Sequence, residues 1–166
     1  MNIEVTLRPL QDTDSELIRI WLCKEHVLQW YHDTEDWLTE IKQRNKEFSF
    51  LHHYIVYYRD VAIGFCQYYD CFDAKETWYS VESKGHLFSI DYLIGEEDYL
   101  RKGFGKQIIA LLINEISKEN EHVEIIVQPD LENTASNKTL LASGFTYDNQ
   151  KQYYSCTIGT QLHRKR

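Results

Sequence analysis

Proline is nearly absent, with 2 residues in 166, and glycine is sparse at 7. That excludes a collagen-like or low-complexity chain, and the 43% hydrophobic and 27% charged residues describe a globular fold, not a disordered one. A run of about 18 apolar residues, the least that crosses a bilayer, occurs nowhere in the chain. The N-terminus, MNIEVTLRPL, has no basic stretch followed by an apolar one, so neither export nor membrane spanning is supported and the cytoplasm is the expected compartment. Positive charge is also short. Eighteen Lys and Arg stand against 26 Asp and Glu, a net charge of −8, which repels phosphate backbones and anionic lipid. No nucleic-acid or membrane partner is expected, and a cationic substrate is permitted. The 4 cysteines, Cys23, Cys66, Cys71 and Cys156, make no CxxC pair, and no His/Cys cluster has zinc spacing. They are expected as free thiols in a reducing compartment, with no metal. The length supports one domain over 1–166 and suffices to bury about 70% of the unfolded surface without staples.

Residues 3–8 alternate as a strand does, and Asp12, Thr13 and Asp14 offer caps to a helix with Leu17, Ile18, Trp21 and Leu22 at helical spacing. Thr34 with Trp37, Leu38 and Ile41 predicts a second helix, ending in the charged stretch Lys42 to Glu47. Two β-branched and aromatic runs, 53–58 and 61–69, are joined by Arg59-Asp60 as a tight hairpin. The polar, aperiodic stretch 70–85 reads as a long loop and is for that reason a functional suspect. An apolar strand over 87–94 carries one acid, Asp91; a glycine-containing turn over 95–106 leads into a strongly apolar helix over 107–118. A buried-type strand at 123–127, a helix at 133–142 closed by Gly144, and strands at 145–147 and 153–158 complete the chain. This order predicts an α/β (α+β) fold, a mixed sheet with helices on its faces.

The run Lys102-Gly103-Phe104-Gly105-Lys106 lies where strand gives way to helix, the geometry in which free N–H groups and the helix dipole hold an anion such as pyrophosphate. By itself a surface turn with two glycines reads the same way, and the spacing fits neither a Walker loop nor a dinucleotide fingerprint. In context it is specific. The hairpin Ile63-Gly64-Phe65-Cys66-Gln67, the strand with Asp91, the loop 101–105 and Asn133 twelve residues before Phe145 follow one another over 6–158. In this the chain resembles the GNAT superfamily of acyl-CoA N-acyltransferases, a mixed, mostly antiparallel twisted sheet flanked by helices. Trp30-Tyr31, the I-G-x-x-Q hairpin, Ile90-Asp91-Tyr92 and K-G-x-G together are most similar to the aminoglycoside 6′-N-acetyltransferases.

The resemblance implies acetyl transfer from acetyl-CoA to an amine. It implies pyrophosphate on the loop Arg101, Lys102, Gly103, Phe104, Gly105 and Lys106, pantetheine along Leu93 and Ile94, and Asn133 beside the cofactor. Two positions depart from the aminoglycoside enzymes. Gln128-Pro129 stands where they carry Asp-Pro, and Leu140 where many GNAT enzymes carry a tyrosine that protonates the leaving thiolate.

An amine with a pKa near ~10 is neutral about one time in a thousand at pH 7, so acetylation requires a group to handle its proton. Asp91 is the candidate catalytic residue. A free carboxyl near ~3.9 faces an uphill transfer of roughly 8 kcal/mol, so either apolar Phe88, Ile90 and Leu93 raise its pKa or it holds the ammonium while water takes the proton. N–H groups near Ile94 are the expected oxyanion donors. Trp30, Tyr31, Asp70, Asp73 and Trp78 are the candidate substrate-binding residues, since aromatic faces and carboxylates both stabilise polyamine cations. The histidines, including His52-His53, have no triad or metal spacing, so direct transfer in a ternary complex is expected. The acceptor stays open between a cationic small molecule such as an aminoglycoside and another amine or hydroxylamine: a polyamine, a siderophore precursor, a protein N-terminus. A non-catalytic CoA-binding module, and either a monomer or a homodimer, also remain compatible.

Overall fold

The computed structural model describes residues 4–159. Seven strands form one sheet in the order β1-β2-β3-β4-β5-β7-β6, where β1 is Val5–Pro9, β2 Leu51–Tyr58, β3 Val61–Asp70, β4 Leu87–Ile94, β5 Val123–Val127, β6 Thr146–Asp148 and β7 Tyr153–Ile158. All neighbours are antiparallel except β4 and β5. The expected mixed, mostly antiparallel sheet is what the chain adopts.

The helices are α1 Ser15–Leu22, α2 Glu25–Leu28, α3 Thr34–Lys42, α4 Cys71–Ala74, α5 Phe104–Ser117 and α6 Thr134–Ala142. α5 buries Phe104, Ile108, Ile109, Leu112 and Ile116, a helical stripe that packs on Val56, Ile63, Ile90 and Ile125 of one sheet face. α1 buries Ile18, Trp21 and Leu22 on the other face against Ile55, Phe65 and Leu93. Period-2 alternation along β4 therefore sends Ile90 into the α5 core and Leu93 into the α1 core.

Three sequence expectations shift. α5 begins at Phe104 instead of 107, because Gly103 at φ 84° takes the left-handed cap conformation and releases the helix one turn earlier. The stretch 70–85 contains the short helix α4, started by the Asp70 carboxylate accepting from the Phe72 N–H at 2.9 Å. Residues 43–50 carry turns, with no helix.

One feature of the sheet places the site. β3 and β4 stay in register over 7 pairs, from Asp70↔Phe88 to Gly64↔Ile94. The parallel pair β4 and β5 holds for only 3, from Leu87↔Glu124 to Ser89↔Ile126. Beyond Ser89 the two strands splay, and β4 presents an open edge.

Candidate active site

Two cavities meet at that splay. The first, about 480 Å³, is lined by Asp33, Asp36, Glu40, Glu76, Asp91 and Asp130, and among the described residues no lysine, arginine or histidine stands in its wall. Trp30, Trp37, Phe50, Tyr69 and Trp78 add aromatic faces. The second, a groove of about 710 Å³, runs between the open edge of β4, the loop before α5 and the first turns of α6. Trp30, Tyr31, Tyr92, Asn133 and Ser136 line both, so the two spaces share a seam.

Main-chain direction at the seam follows from the register. The Gly95 N–H donates to the Ile63 carbonyl at 2.7 Å, so in the antiparallel ladder the odd residues of β4 face β3 and the even ones face the splay. Two of those outward carbonyls are taken by side chains: Tyr31 Oη donates to Tyr92 O at 2.6 Å, and His26 Nε2 to Ile94 O at 2.9 Å. The N–H groups of Tyr92 and Ile94 point the same way, a pair of donors aimed into the opening.

Asp91 sits beside this edge on the acidic-cavity face, with Gln67 Nε2 donating to its Oδ2 at 2.9 Å. Burial pushes its carboxyl up to about 6, with the Gln67 bond opposing and the Glu76 charge adding to the rise. Glu40 is pushed up to about 7, first by burial and then by the charges of Asp91, Glu76 and Asp36. Glu76 is held in place by Tyr69 Oη and Trp78 Nε1, both donating to its Oε1 at 3.1 Å, which leaves Oε2 toward the cavity. Like-charged groups crowded this way favour a ligand that brings several positive charges.

At the groove, Gly103 has its left-handed cap, and Gly105 packs closely: a Cβ there would meet Thr139 Cγ2 at 3.3 Å, a tight contact, and the Tyr92 ring at 3.4 Å. Asn133 caps α6 by accepting from the Ser136 N–H at 3.1 Å. The groove thus combines the open N-terminus of the 14-residue α5, the donors of β4 and the exposed cations Arg101 and Lys106. Those groups suit an acyl carrier with an anionic head and an amide-bearing arm.

Leu93, Ile94, Arg101, Gly103, Phe104, Gly105, Lys106 and Asn133 line the groove, whereas Lys102 does not. Phe104 offers its backbone, since its ring is buried against Tyr58 and Tyr99. Trp30, Tyr31 and Trp78 line the acidic cavity. Asp70 and Asp73 require correction. Asp70 is buried and its carboxylate is consumed by the N–H groups of Phe72 and Gly85; Asp73 is ion-paired to Lys84; neither lines the cavity. Besides Asp91, the acids that do line it are Asp33, Asp36, Glu40, Glu76 and Asp130, none of them a sequence candidate, although Asp33, Asp36 and Glu40 recur at helical spacing and Glu76 lies in the suspect loop. Tyr92 was missed as well; its buried hydroxyl faces Ser136 and Thr139 without satisfying a hydrogen bond. Leu140 is wholly buried in the α5 core, so that position supplies no proton donor. Among the described residues no cluster of three or more His, Cys, Asp and Glu could hold a metal, and no helix is long and apolar enough to cross a membrane.

An acidic cavity and a groove that meet at two outward main-chain N–H groups beside a carboxylate have the form a two-substrate group transferase needs. The chain belongs to the GNAT acetyltransferase family, whose domain model matches residues 11–153. Among its relatives, the aminoglycoside N(6′)-acetyltransferase type 1 of Klebsiella pneumoniae is 22% identical over 150 residues, 87% of this chain and 75% of that protein. The fold is shared with the aminoglycoside acetyltransferase AAC(6′)-Ib in complex with coenzyme A and kanamycin, at a TM-score of 0.76 and 19% identity, over 98% of this chain and 99% of that one. It is shared too with the spermidine N-acetyltransferase of Vibrio cholerae in complex with CoA and spermine, at 0.65 and 12%, over 95% of each chain.

Proposed function

We propose that this acetyltransferase moves an acetyl group from acetyl-CoA to a primary amine of a polycationic small molecule, an aminoglycoside in the first instance. The observation that carries the acceptor is the cavity wall itself: among the described residues, six carboxylates, no cationic side chain, and aromatic faces between them, meeting the groove along a shared seam. Two of the solved structures named above hold kanamycin and spermine, both polycations.

In this reading the N–H groups at the start of α5, with Arg101 and Lys106, hold the pyrophosphate, and Leu93, Ile94 and Asn133 line the path of the pantetheine arm. Acetyl-CoA supplies the activated acyl carbon. The N–H groups of Tyr92 and Ile94 stabilise the negative charge that develops on the thioester oxygen. Asp91 takes the proton of the bound ammonium. With its carboxyl at about 6, that transfer from an amine near ~10 is uphill by roughly 5 kcal/mol, less than the cost for an ordinary carboxyl. Glu40 and Glu76 hold the remaining positive charges of the substrate. With Leu140 in the core, the sulfur receives its proton from the reacting nitrogen, directly or through water.

Thiol release from acetyl-CoA is the test, measured with kanamycin, spermidine, hydroxylamine and a neutral monoamine. Release with kanamycin at lower KM than with the monoamine is the expected result. Release only with hydroxylamine or the monoamine overturns the polycation acceptor; no release with any amine, alongside tight acetyl-CoA binding, leaves a CoA-binding module.

A further inference from the structure

Five buried side-chain polar atoms among the described residues lack a hydrogen-bond partner, and three of them belong to two adjacent residues: Nδ1 and Nε2 of His53, and Oε1 of Gln67. They stand in line with Asp91. His53 is the register partner of Gln67 across β2 and β3, and Gln67 that of Asp91 across β3 and β4. Directly opposed residues share a sheet face with Cβ atoms about 5 Å apart, so the three side chains form one polar row. The row crosses a face that is otherwise apolar, with Ile55, Phe65 and Leu93 around it. At one end the row is closed, since Gln67 Nε2 donates to Asp91 Oδ2. At the other end an imidazole and an amide oxygen lie side by side, within a small side-chain rotation of pairing.

We propose that His53 is a positioning residue for Asp91, acting through Gln67. A neutral imidazole carries one N–H and one bare nitrogen. Its N–H, given to Gln67 Oε1, fixes the amide so that the NH₂ faces the ionised Asp91. When Asp91 takes the proton, the amide keeps this orientation and its NH₂ donates to the carbonyl oxygen of the neutral carboxyl, a weaker bond than the one to the carboxylate. The imidazole is suited to this because it stays uncharged: burial first, then Arg44 and His52, hold its pKa down to about 4. The ring is also held in place, stacked on Phe65 with centroids 5.7 Å apart.

The groups that bear on this row are few. Facing Asp91 are Gln67 from β3, Glu40 from α3, Glu76 and the phenols of Tyr31 and Tyr69. Facing His53 are Gln67, His52 on its own strand and Arg44, whose guanidinium is paired with Asp12. None of these substitutes for His53 as a partner of the Gln67 oxygen.

The inference rests on Asp91 as the proton acceptor, and its test reads Asp91 directly, without turnover. Carboxyl ¹³C NMR of the apo protein gives the Asp91 midpoint, assigned with Asp91→Asn. Gln67→Met should raise that midpoint by about one pH unit, since a hydrogen bond to the charged form is lost. His53→Phe, which keeps the ring on Phe65, should raise it in the same direction by a half unit or so, and His53→Asn should restore part of it. In the Gln67→Met background His53→Phe should add nothing, because His53 has no other route to Asp91. In the wild-type protein the ¹⁵N signals of the His53 ring and the Gln67 amide should move at the Asp91 midpoint, a readout that survives even if a variant fails to fold. An unmoved midpoint in His53→Phe, or wild-type His53 signals indifferent to Asp91, overturns the proposal. Failure of acetyl transfer with every amine would instead overturn the functional reading, and leaves this titration to be judged by its own result.

Discussion

The hydroxyl of Tyr31 donates to the main-chain oxygen of Tyr92 at 2.6 Å and so ties the segment between α2 and α3 to the open edge of β4, at the seam between the two cavities. Without that donor a part-buried carbonyl loses its side-chain partner.

Tyr31→Phe should therefore cost about 1 kcal/mol of stability, the net worth of one hydrogen bond, and should slow acetyl transfer by loosening the seam. Thermal unfolding and steady-state kinetics on the same preparation check both parts. Unchanged stability would mean that the Tyr92 carbonyl finds another donor.

Replacement of Asp91 by asparagine keeps its shape and its contact with Gln67 while removing the base. Turnover should fall by about 10²–10⁴, with acetyl-CoA affinity by calorimetry unchanged. The acid limb of kcat/KM near pH 6 should vanish in whatever activity remains.

Asp91 and Glu40 also give stability a definite pH slope. Folded, they hold protons up to about 6 and about 7 respectively, while unfolded carboxyls release theirs near ~4. The folded state binds more protons across that interval, so stability falls as pH rises through it. Tm should decline between about pH 5 and 7, and Glu40→Gln should flatten the decline.

Salt should separate acceptors by charge. A polycation held by several partly screened carboxylates loses affinity as ionic strength rises, in KM more than in kcat, because the attraction acts on ground and transition states alike. Kanamycin should show this trend and a neutral monoamine should not. Identical salt dependence for both would remove the acidic cavity from acceptor recognition.

Charge reversal at the groove, Arg101→Glu with Lys106→Glu, should abolish the rise in Tm that acetyl-CoA produces. Both side chains are exposed, so the fold should persist. Gly105 is a poorer probe than its place in the motif suggests, because a side chain there also presses on Thr139 and so mixes a packing effect with any effect on the ligand. A retained shift in the double variant would place the anionic head elsewhere.

Much of this architecture is legible in the residues themselves. The apolar stripe of α5, the acid on the strand of 87–94 and the glycines of 103 and 105 are local signals, and local signals survive folding. What tertiary structure decides is harder to read. Asp70, Asp73 and Glu76 are three acids of one polar stretch, alike in sequence; folding spends the first on two amide N–H groups, the second on Lys84, and turns only the third toward the cavity. Glu40 lies one residue from Ile41 in a helix whose apolar side drew attention, and its placement in the wall follows from how α3 packs. The splay has no signature at all, because strand separation depends on where β5 ends and α6 turns in.

That splay makes the protein one strand short at its centre. The hydrogen-bonding edge of Tyr92 and Ile94 has its oxygens occupied by Tyr31 and His26 and its N–H groups held for a visitor. An amide-bearing arm laid along the edge acts as backbone borrowed from another molecule, and completes the ladder as an added peptide strand would. In the proposed reading the co-substrate is then a removable strand of the sheet as well as the source of the group transferred.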